Sequence, residues 1–457
     1  LVILQNGSEK MINSELKNLC VNTLTPLSEV LFKIQKYGKN GVFVVDKNLN
    51  LKGIITDSDI RKKILEKKFH KLKYAKDIMK KKNFSIQQNN AHKSAQILIN
   101  TSKILIPILR NKKIVDFCHI QELENLIINN SKKKILIIGG LGYIGSLLTK
   151  KLLEIGYHVN ILDKNLYGNP LKSRSKNLKI FIGDCFSKKN LSKALKGCSS
   201  VVHLGEIVGD PAVALNEKNS IKNNYEATNF VLNECLKHRI ERFIFTSSCS
   251  VYGYSHKVCN EKSKLNPVSL YAKCKIACEE QILSYNSDYF TRTILRLATV
   301  HGDSLRKRFD LVVNRFLAFG LKKKEITIFG EKNWRPLISV NDVVKSIIKV
   351  LSSPKKKVKN QIFNVGSSNE NFTIGHIAKV INKNSGCKLK FIPQIDDPRS
   401  YIVSFKKIEK MLKFKPSLRL DKSIKNMIKI YKNKKLQLNN RNYFNDKKIK
   451  YLLNKRN

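Results

Sequence analysis

Between residues 135 and 163 the chain reads Ile135-Leu-Ile-Ile138, Gly139-Gly-Leu-Gly142-Tyr-Ile-Gly145, an apolar-periodic stretch through Leu152, and then Val159-Asn-Ile-Leu-Asp163. A buried-strand run, a glycine-rich turn, a helix and a second strand in that order leave few folds open. A wholly apolar strand is covered on both faces, as in a parallel sheet flanked by helices. The chemistry needs these glycines. Gly139 permits the tight turn, Gly142 lets backbone amides approach a pyrophosphate, and Gly145 lets helix and strand pack closely, so that phosphates rest on the helix N-terminus. Tyr143 and Ile144 belong to the same turn and are expected against the ligand. Asp163 closes the second strand, where a carboxylate accepts from both adenosine ribose hydroxyls and repels a 2′-phosphate. The expected cofactor is therefore NAD rather than NADP.

The alternation continues. Strands are expected at Lys179-Ile-Phe-Ile182, Val201-Val-His-Leu204, Phe243-Ile-Phe245 and Thr293-Ile-Leu-Arg296, separated by helical stretches. The expectation is an α/β chain of the Rossmann type, a doubly wound parallel sheet. Residues 23–126 differ in kind. Gly41-Val-Phe-Val-Val-Asp46, Leu51-Lys-Gly-Ile-Ile-Thr56 and a helix opening near Asp57 to Asp59 are followed by a similar order. That second order has a helix around Ala95 to Leu98, a strand Ile104–Leu109, and Lys113-Ile-Val-Asp-Phe-Cys118 before another helix. Two copies of a small α+β unit is the economical reading. The polar stretch 129–134 reads as a linker. At 457 residues the chain exceeds one core. The expected division is 1–130 as a front module, 131–435 as the dinucleotide domain and 436–457 as a basic, Asn-rich tail without firm structure.

A formal net charge of +52 suggests a nucleic-acid or anionic-membrane partner. Lysine, however, outnumbers arginine 72 to 15, is spread along the whole length and travels with Asn and Ile. No helix-turn-helix, zinc finger or aromatic-basic RNA motif accompanies it, so composition bias accounts for the charge and no dedicated nucleic-acid partner is expected. No apolar run reaches the eighteen or so residues that span a bilayer. Leu1-Val-Ile-Leu4 lacks the basic flank and cleavage site of a secretory signal, and a start at Leu leaves the completeness of the N-terminus open. The ten cysteines form no Cys-x-x-Cys pair or Cys/His cluster, which argues for a reducing compartment and against a metal site. A soluble, cytoplasmic chain is expected.

Tyr271-Ala-Lys-Cys-Lys275 sets a phenol and an ammonium four residues apart, on one helix face. In a chain with 72 lysines that spacing alone says little. Its company is Phe243-Ile-Phe-Thr-Ser-Ser248-Cys-Ser-Val-Tyr-Gly253, a strand ending in hydroxyls. A free phenol with a pKa of about 10 is a poor base at neutral pH, and a nearby ammonium favours the phenolate.

The Gly-x-x-Gly-x-x-Gly spacing, Ser248 and the Tyr271/Lys275 pair resemble the extended short-chain dehydrogenase/reductases, specifically their NAD-dependent nucleotide-sugar epimerase/dehydratase branch, over residues 133 to about 430. The resemblance implies that Ser248 orients the substrate, Tyr271 is the acid/base and Lys275 binds the nicotinamide ribose. Gly183-Asp184 looks like the family's adenine-contacting pair, and Val201-Val-His-Leu204-Gly-Glu206 like the segment that passes the cofactor, usually His-Leu-Ala-Ala. Gly205 and Glu206 depart from that pattern. Arg306–Asn314, Trp334-Arg335-Pro and Asp397-Pro-Arg399 resemble segments that hold the nucleotide diphosphate, which implies a smaller C-terminal substrate-binding lobe beside the sheet and makes Asn314, Arg335 and Arg399 substrate ligands by analogy. Arginine forks suit phosphate oxygens. Sugar 4,6-dehydratases of this family carry Asp-Glu straight after the catalytic hydroxyl. Here Cys249 and Ser250 stand in those places, which disfavours a dehydratase, and Cys249 reads as packing.

Residues 23–126 resemble a pair of cystathionine β-synthase-type (CBS) modules, most clearly in Gly53-Ile-Ile-Thr56-Asp-Ser-Asp59. That resemblance implies an adenine nucleotide on Thr56 and Asp59, although Asp59 as a plain helix cap is an equal alternative. The second copy, Asp116-Phe-Cys-His119-Ile-Gln-Glu122, loses the Gly and Thr. Together these readings imply a homodimeric NAD-dependent epimerase of a nucleotide-linked sugar, working through a transient keto-sugar and enzyme-bound NADH and feeding surface polysaccharide synthesis. An NAD(P)H-dependent keto-sugar reductase and a non-catalytic NAD/adenylate sensor are the alternatives.

Overall fold

The computed structural model describes residues 14–37, 40–66, 72–81, 86–87, 105–119, 133–173, 175–285, 287–393, 398–432 and 436–455. The chain divides into two compact units at residues 131/132.

The second unit is built on seven parallel strands in the spatial order Gln361–Val365, Thr291–Leu297, Arg242–Ser248, Ser200–His203, Lys134–Ile138, His158–Asp163, Leu178–Ile182. The chain starts in the middle, builds outward to one edge, then crosses back and builds to the other. That reversal falls between Lys134–Ile138 and Ser200–His203, and it is outside the C-terminal ends of such a strand pair that open α/β sheets bind ligands. Apolar clusters cover both faces, one containing Ile135, Ile137, Leu148 and Ile161 and the other Leu136, Ile138, Val231 and Phe243. The alternate burial of neighbouring residues in one strand is the two-residue period of a sheet packed on both sides.

Helix Leu270–Ser284 is capped by Ser269, whose side chain accepts from the Ala272 amide at 3.2 Å. Its buried face carries Lys275 and Glu279 as well as Ala272, Cys278 and Ile282. Buried charges persist only when paired and hydrogen-bonded. Glu279 accordingly accepts from Arg296 Nε at 3.0 and 3.1 Å, from Arg296 Nη2 at 2.6 Å and from Ser247 Oγ at 2.5 Å. The arginine fork ties the helix of Tyr271 to strand Thr291–Leu297, and the Ser247 bond ties it to the strand ending in Ser248.

A smaller lobe surrounds Phe309, Val313, Leu317, Ile377 and Ile424. Its short strands include Trp334–Ser339, paired with Thr299–His301 on one side and Asn371–Thr373 on the other. The expectation of a loose basic tail after residue 435 needs correction. Residues 445–454 form a helix, and Phe444, fully buried, packs beside Phe309 with ring centroids 6.1 Å apart. The segment has few apolar residues, but a surface contributed from elsewhere in the unit buries them. Phe444→Ala should cost about 3–5 kcal/mol, read as a lowered melting temperature. An unchanged melting curve would mean that the segment carries no packing weight.

The first unit holds two small sheets of the same pattern. Cys20–Val21 lies parallel to Gly41–Val45, which pairs antiparallel with Leu51–Thr56; Ile86–Gln87 lies parallel to Leu105–Arg110, which pairs antiparallel with Lys113–His119. The helices expected near Ala95–Leu98 and after Cys118, and the acid Glu122, lie outside the described residues. Among the described residues no helix is long and apolar enough to cross a membrane, and no His/Cys/Asp/Glu group could hold a metal.

Candidate active site

One cavity of about 1180 Å³ runs from the glycine turn to the smaller lobe. Sites for a single small ligand occupy roughly 300–1,000 Å³, so this one has room for more. Gly139, Gly142, Tyr143, Ile144, Gly145, Asp163, Leu204, Ser248, Tyr271, Lys275, Arg335 and Arg399 all line it.

At its cofactor end Gly139 has φ +79°, in the left-handed region that favours glycine. A Cβ on Gly145 would stand 2.3 Å from the Gly139 carbonyl oxygen and 2.7 Å from Gly140 Cα, so the helix is seated directly on the turn. Asp163 accepts from the Leu141 amide at 3.0 Å and the Asn165 amide at 2.7 Å. Its carboxylate thereby joins the turn to the end of the second strand. A bare-backbone cradle at a helix N-terminus followed by a carboxylate fits a dinucleotide with a free adenosine ribose. Gly145→Ala has only backbone to push against and should weaken NAD binding about ten- to a hundredfold, the equivalent of 1–3 kcal/mol of overpacking. Titration with NAD checks this, and an unchanged dissociation constant would contradict the cradle.

At the reaction end Lys275 Nζ donates to the Thr246 carbonyl at 2.5 Å, lies 5.7 Å from the Tyr271 ring centroid and is ion-paired with Glu206. Burial pushes the Tyr271 phenol up; Lys275 pulls it down, while Glu206 and Asp210 oppose that pull. Ser248 Oγ accepts from the Ser250 amide at 3.1 Å, which leaves its own hydrogen free to be donated. Cys249 is fully buried, its thiol donating to the Arg296 carbonyl at 3.3 Å, and burial holds that thiol far above its ordinary range.

Two sequence-derived residues fall outside the cavity. Asn314 is spent internally: Oδ1 accepts from the Gly302 amide at 2.9 Å, and Nδ2 donates to the Arg308 carbonyl at 3.0 Å and the Tyr143 hydroxyl at 3.2 Å. It braces the lobe against the glycine-turn helix and does not line the cavity. Asp184 is paired with Lys164 at 2.8 Å while its neighbours Gly183 and Cys185 line the cavity. In the first unit Thr56 and Asp59 form a reciprocal cap. Asp59 Oδ2 accepts from the Thr56 hydroxyl at 2.7 Å and amide at 3.1 Å, and Oδ1 pairs with Lys80. The capping alternative is thus satisfied in full. Asp397 lies outside the described residues, whereas Arg399 is paired with Asp210.

The fold also brings to the cavity residues to which sequence reasoning gave no individual site role. Arg306 is buried, with its Nη2 donating to Asn445 Oδ1 at 2.6 Å, and burial pushes its guanidinium down to about 10. Arg308 is paired with Asp310, and the buried Ser250 hydroxyl has no partner among the described residues. Ile449 and Leu453 of the last helix pack in the same cluster as Tyr271 and Ile207. For Arg306 and Arg308 the signal was their segment, Arg306–Asn314, two arginines close together in a lysine-rich chain; Ile449 and Leu453 act only through the assembled fold.

A doubly wound sheet with a nucleotide cradle at its switch point, and with Tyr and Lys one helical turn apart beside a strand-end Ser, defines an extended short-chain dehydrogenase/reductase. Residues 135–366 match the model of the NAD dependent epimerase/dehydratase family, and the chain belongs to that family. Its cofactor is NAD. Residues 14–66 match the CBS domain. Among relatives, the uncharacterized UDP-glucose epimerase YtcB of Bacillus subtilis (strain 168) is 30% identical over 310 residues, covering 65% of this chain and 96% of that protein. A putative UDP-glucose 4-epimerase of Methanocaldococcus jannaschii is 30% identical over 318 residues, covering 65% and 98%. The crystal structure of UDP-glucuronic acid 4-epimerase from Bacillus cereus, in complex with UDP-glucuronic acid and NAD, is 26% identical with a TM-score of 0.59, covering 65% of this chain and 99% of that one.

Proposed function

We propose that this chain is an epimerase of a nucleotide-linked sugar that inverts C4 through a transient keto-sugar. The supporting observation is the content of the reaction end: Ser248, Tyr271 and Lys275 face one cavity, and the two positions after Ser248 hold a buried thiol and a hydroxyl in place of an acid and a base. Eliminating water would call for that extra pair; inversion at one carbon does not.

Tyr271 removes the proton from the sugar hydroxyl and returns it after the sugar has turned, and Ser248 donates to the same oxygen to hold it in line. Bound in the cradle of residues 139–145 and Asp163, NAD would supply the hydride acceptor for that carbon and, reduced, the donor for the return. Arg306, Arg308, Arg335 and Arg399 line the same cavity and suit a diphosphate; Arg308 is paired with Asp310 and Arg399 with Asp210. Proton NMR of the protein mixed with UDP-, dTDP- and GDP-sugars and NAD, without reductant, tests the reading. An inverted sugar with no accumulation of NADH is expected. Net consumption of added NADH with a keto-sugar would instead establish the reductase.

A further inference from the structure

The Tyr271/Lys275 pair has a third member in this chain. Glu206 follows strand Ser200–His203, and its side chain is only 2% exposed, as is that of Lys275. One carboxylate oxygen, Oε2, is paired with the Lys275 ammonium. The other, Oε1, is buried without a partner among the described residues, and Glu206 lines the cavity alongside Ser248 and Tyr271. The His-Leu-Ala-Ala pattern that this segment resembles has a methyl group at this position. A carboxylate in such a place is expensive unless it does something for its surroundings.

The backbone holds Glu206 in position from both sides. A π-helical turn, Lys222–Glu226, interrupts the helix that follows, a departure frequent at functional sites. Its Asn224 is buried and clamps the next residue: Oδ1 accepts from the Ile207 amide at 2.8 Å, and Nδ2 donates to the Ile207 carbonyl at 2.8 Å. On the other side Gly205 presses on the glycine turn, where a Cβ would stand 2.7 Å from Ile138 Cγ2.

We propose that Glu206 is a positioning residue of the reaction: it fixes the Lys275 ammonium and cancels its charge at the nicotinamide end of the cavity. Two consequences share that cause. The oxidised nicotinamide ring is cationic and the reduced ring is neutral, so an uncompensated Lys275 disfavours NAD relative to NADH, and Glu206 removes the penalty. A bare ammonium also draws the Tyr271 phenol down, so with Glu206 present Tyr271 becomes a base only at higher pH. The charged groups facing Tyr271 are Lys275 on its own helix, Glu206 on the loop, Asp210 on helix Asp210–Ala214 and Arg308 from the smaller lobe; its apolar neighbours are Ile207, Ile449 and Leu453.

The inference rests on the roles of Tyr271 and Lys275 in the preceding reading, not on which sugar is turned. It is tested by titrating the full chain and its Glu206→Gln and Glu206→Ala variants with NAD and NADH separately, with no sugar present. The first variant preserves shape, and the second installs the residue of the usual pattern. In both, the ratio of the NAD to the NADH dissociation constant should rise about tenfold or more, equivalent to one pKa unit of differential charge interaction. With any substrate found to turn over, the pH at half-maximal activity should fall by about one unit. An unchanged ratio and pH midpoint in both variants would overturn the proposal and leave Glu206 with a structural role. A shifted ratio alongside unchanged sugars would sustain it while sinking the epimerase.

Discussion

Replacing Tyr271 with Phe is expected to lower turnover about 10²–10⁴-fold, the usual worth of a positioned general acid/base, while NAD stays bound. The ring itself is not at issue, since Phe keeps the contacts that Tyr271 makes in the cluster of Ile207, Ala212, Val213 and Ile449. Only the hydroxyl is lost, and with it the group that takes the proton from the sugar and returns it. Because the cofactor cradle is built from residues 139–145 and Asp163, on the other side of the cavity, NAD stoichiometry should not change. Turnover measured beside the NAD content of the purified variant separates the two effects. Undiminished turnover would remove Tyr271 from the mechanism.

Glu279→Ala is expected to destabilise the second unit by about 3–5 kcal/mol, because it strands the Arg296 guanidinium, 3% exposed, inside the protein. The cost comes mainly from the unpaired charge, and the fork's net contribution is smaller. The double variant Glu279→Leu with Arg296→Met should therefore recover most of the loss, since apolar replacement of a buried pair is often neutral or better. Denaturant unfolding of the two variants reads this directly. The fork also accepts the hydroxyl of Ser247, next to Ser248. Residual turnover of the stable double variant then shows how far catalysis depends on this brace. A single variant as stable as the parent would show that the pair is solvated.

The cofactor half of the site was legible because its determinants are local. Gly139 to Gly145 and Asp163 act through one strand-turn-helix-strand unit, where spacing along the chain is spacing in space. Tyr271 and Lys275 lie one helical turn apart, but what singled them out among 72 lysines was the strand ending in Ser248 and the family resemblance the three share. Asn314 misled because its segment resembles a substrate strap, yet an amide has two donors and two acceptor sites, and here the fold uses both donors on Arg308 and Tyr143 and one acceptor site on Gly302. The final helix misled in the opposite direction. Its composition is that of a solvated tail, and nothing nearby in the chain announces Phe309 as the partner of Phe444.

Periodicity and turn chemistry alone were enough to establish a parallel sheet with an NAD cradle, a hydroxyl at a strand end and a phenol-ammonium pair on one helix. Each depends on contacts within a few residues, which backbone geometry enforces wherever the pattern occurs. Folding added the pairings between distant parts of the chain. Glu206 reaches Lys275 across 69 residues, Glu279 reaches Arg296 across 17 and Arg306 reaches Asn445 across 139. Such pairs leave no periodic trace, because a charge is driven to its partner by the cost of burial, and burial belongs to the assembled fold.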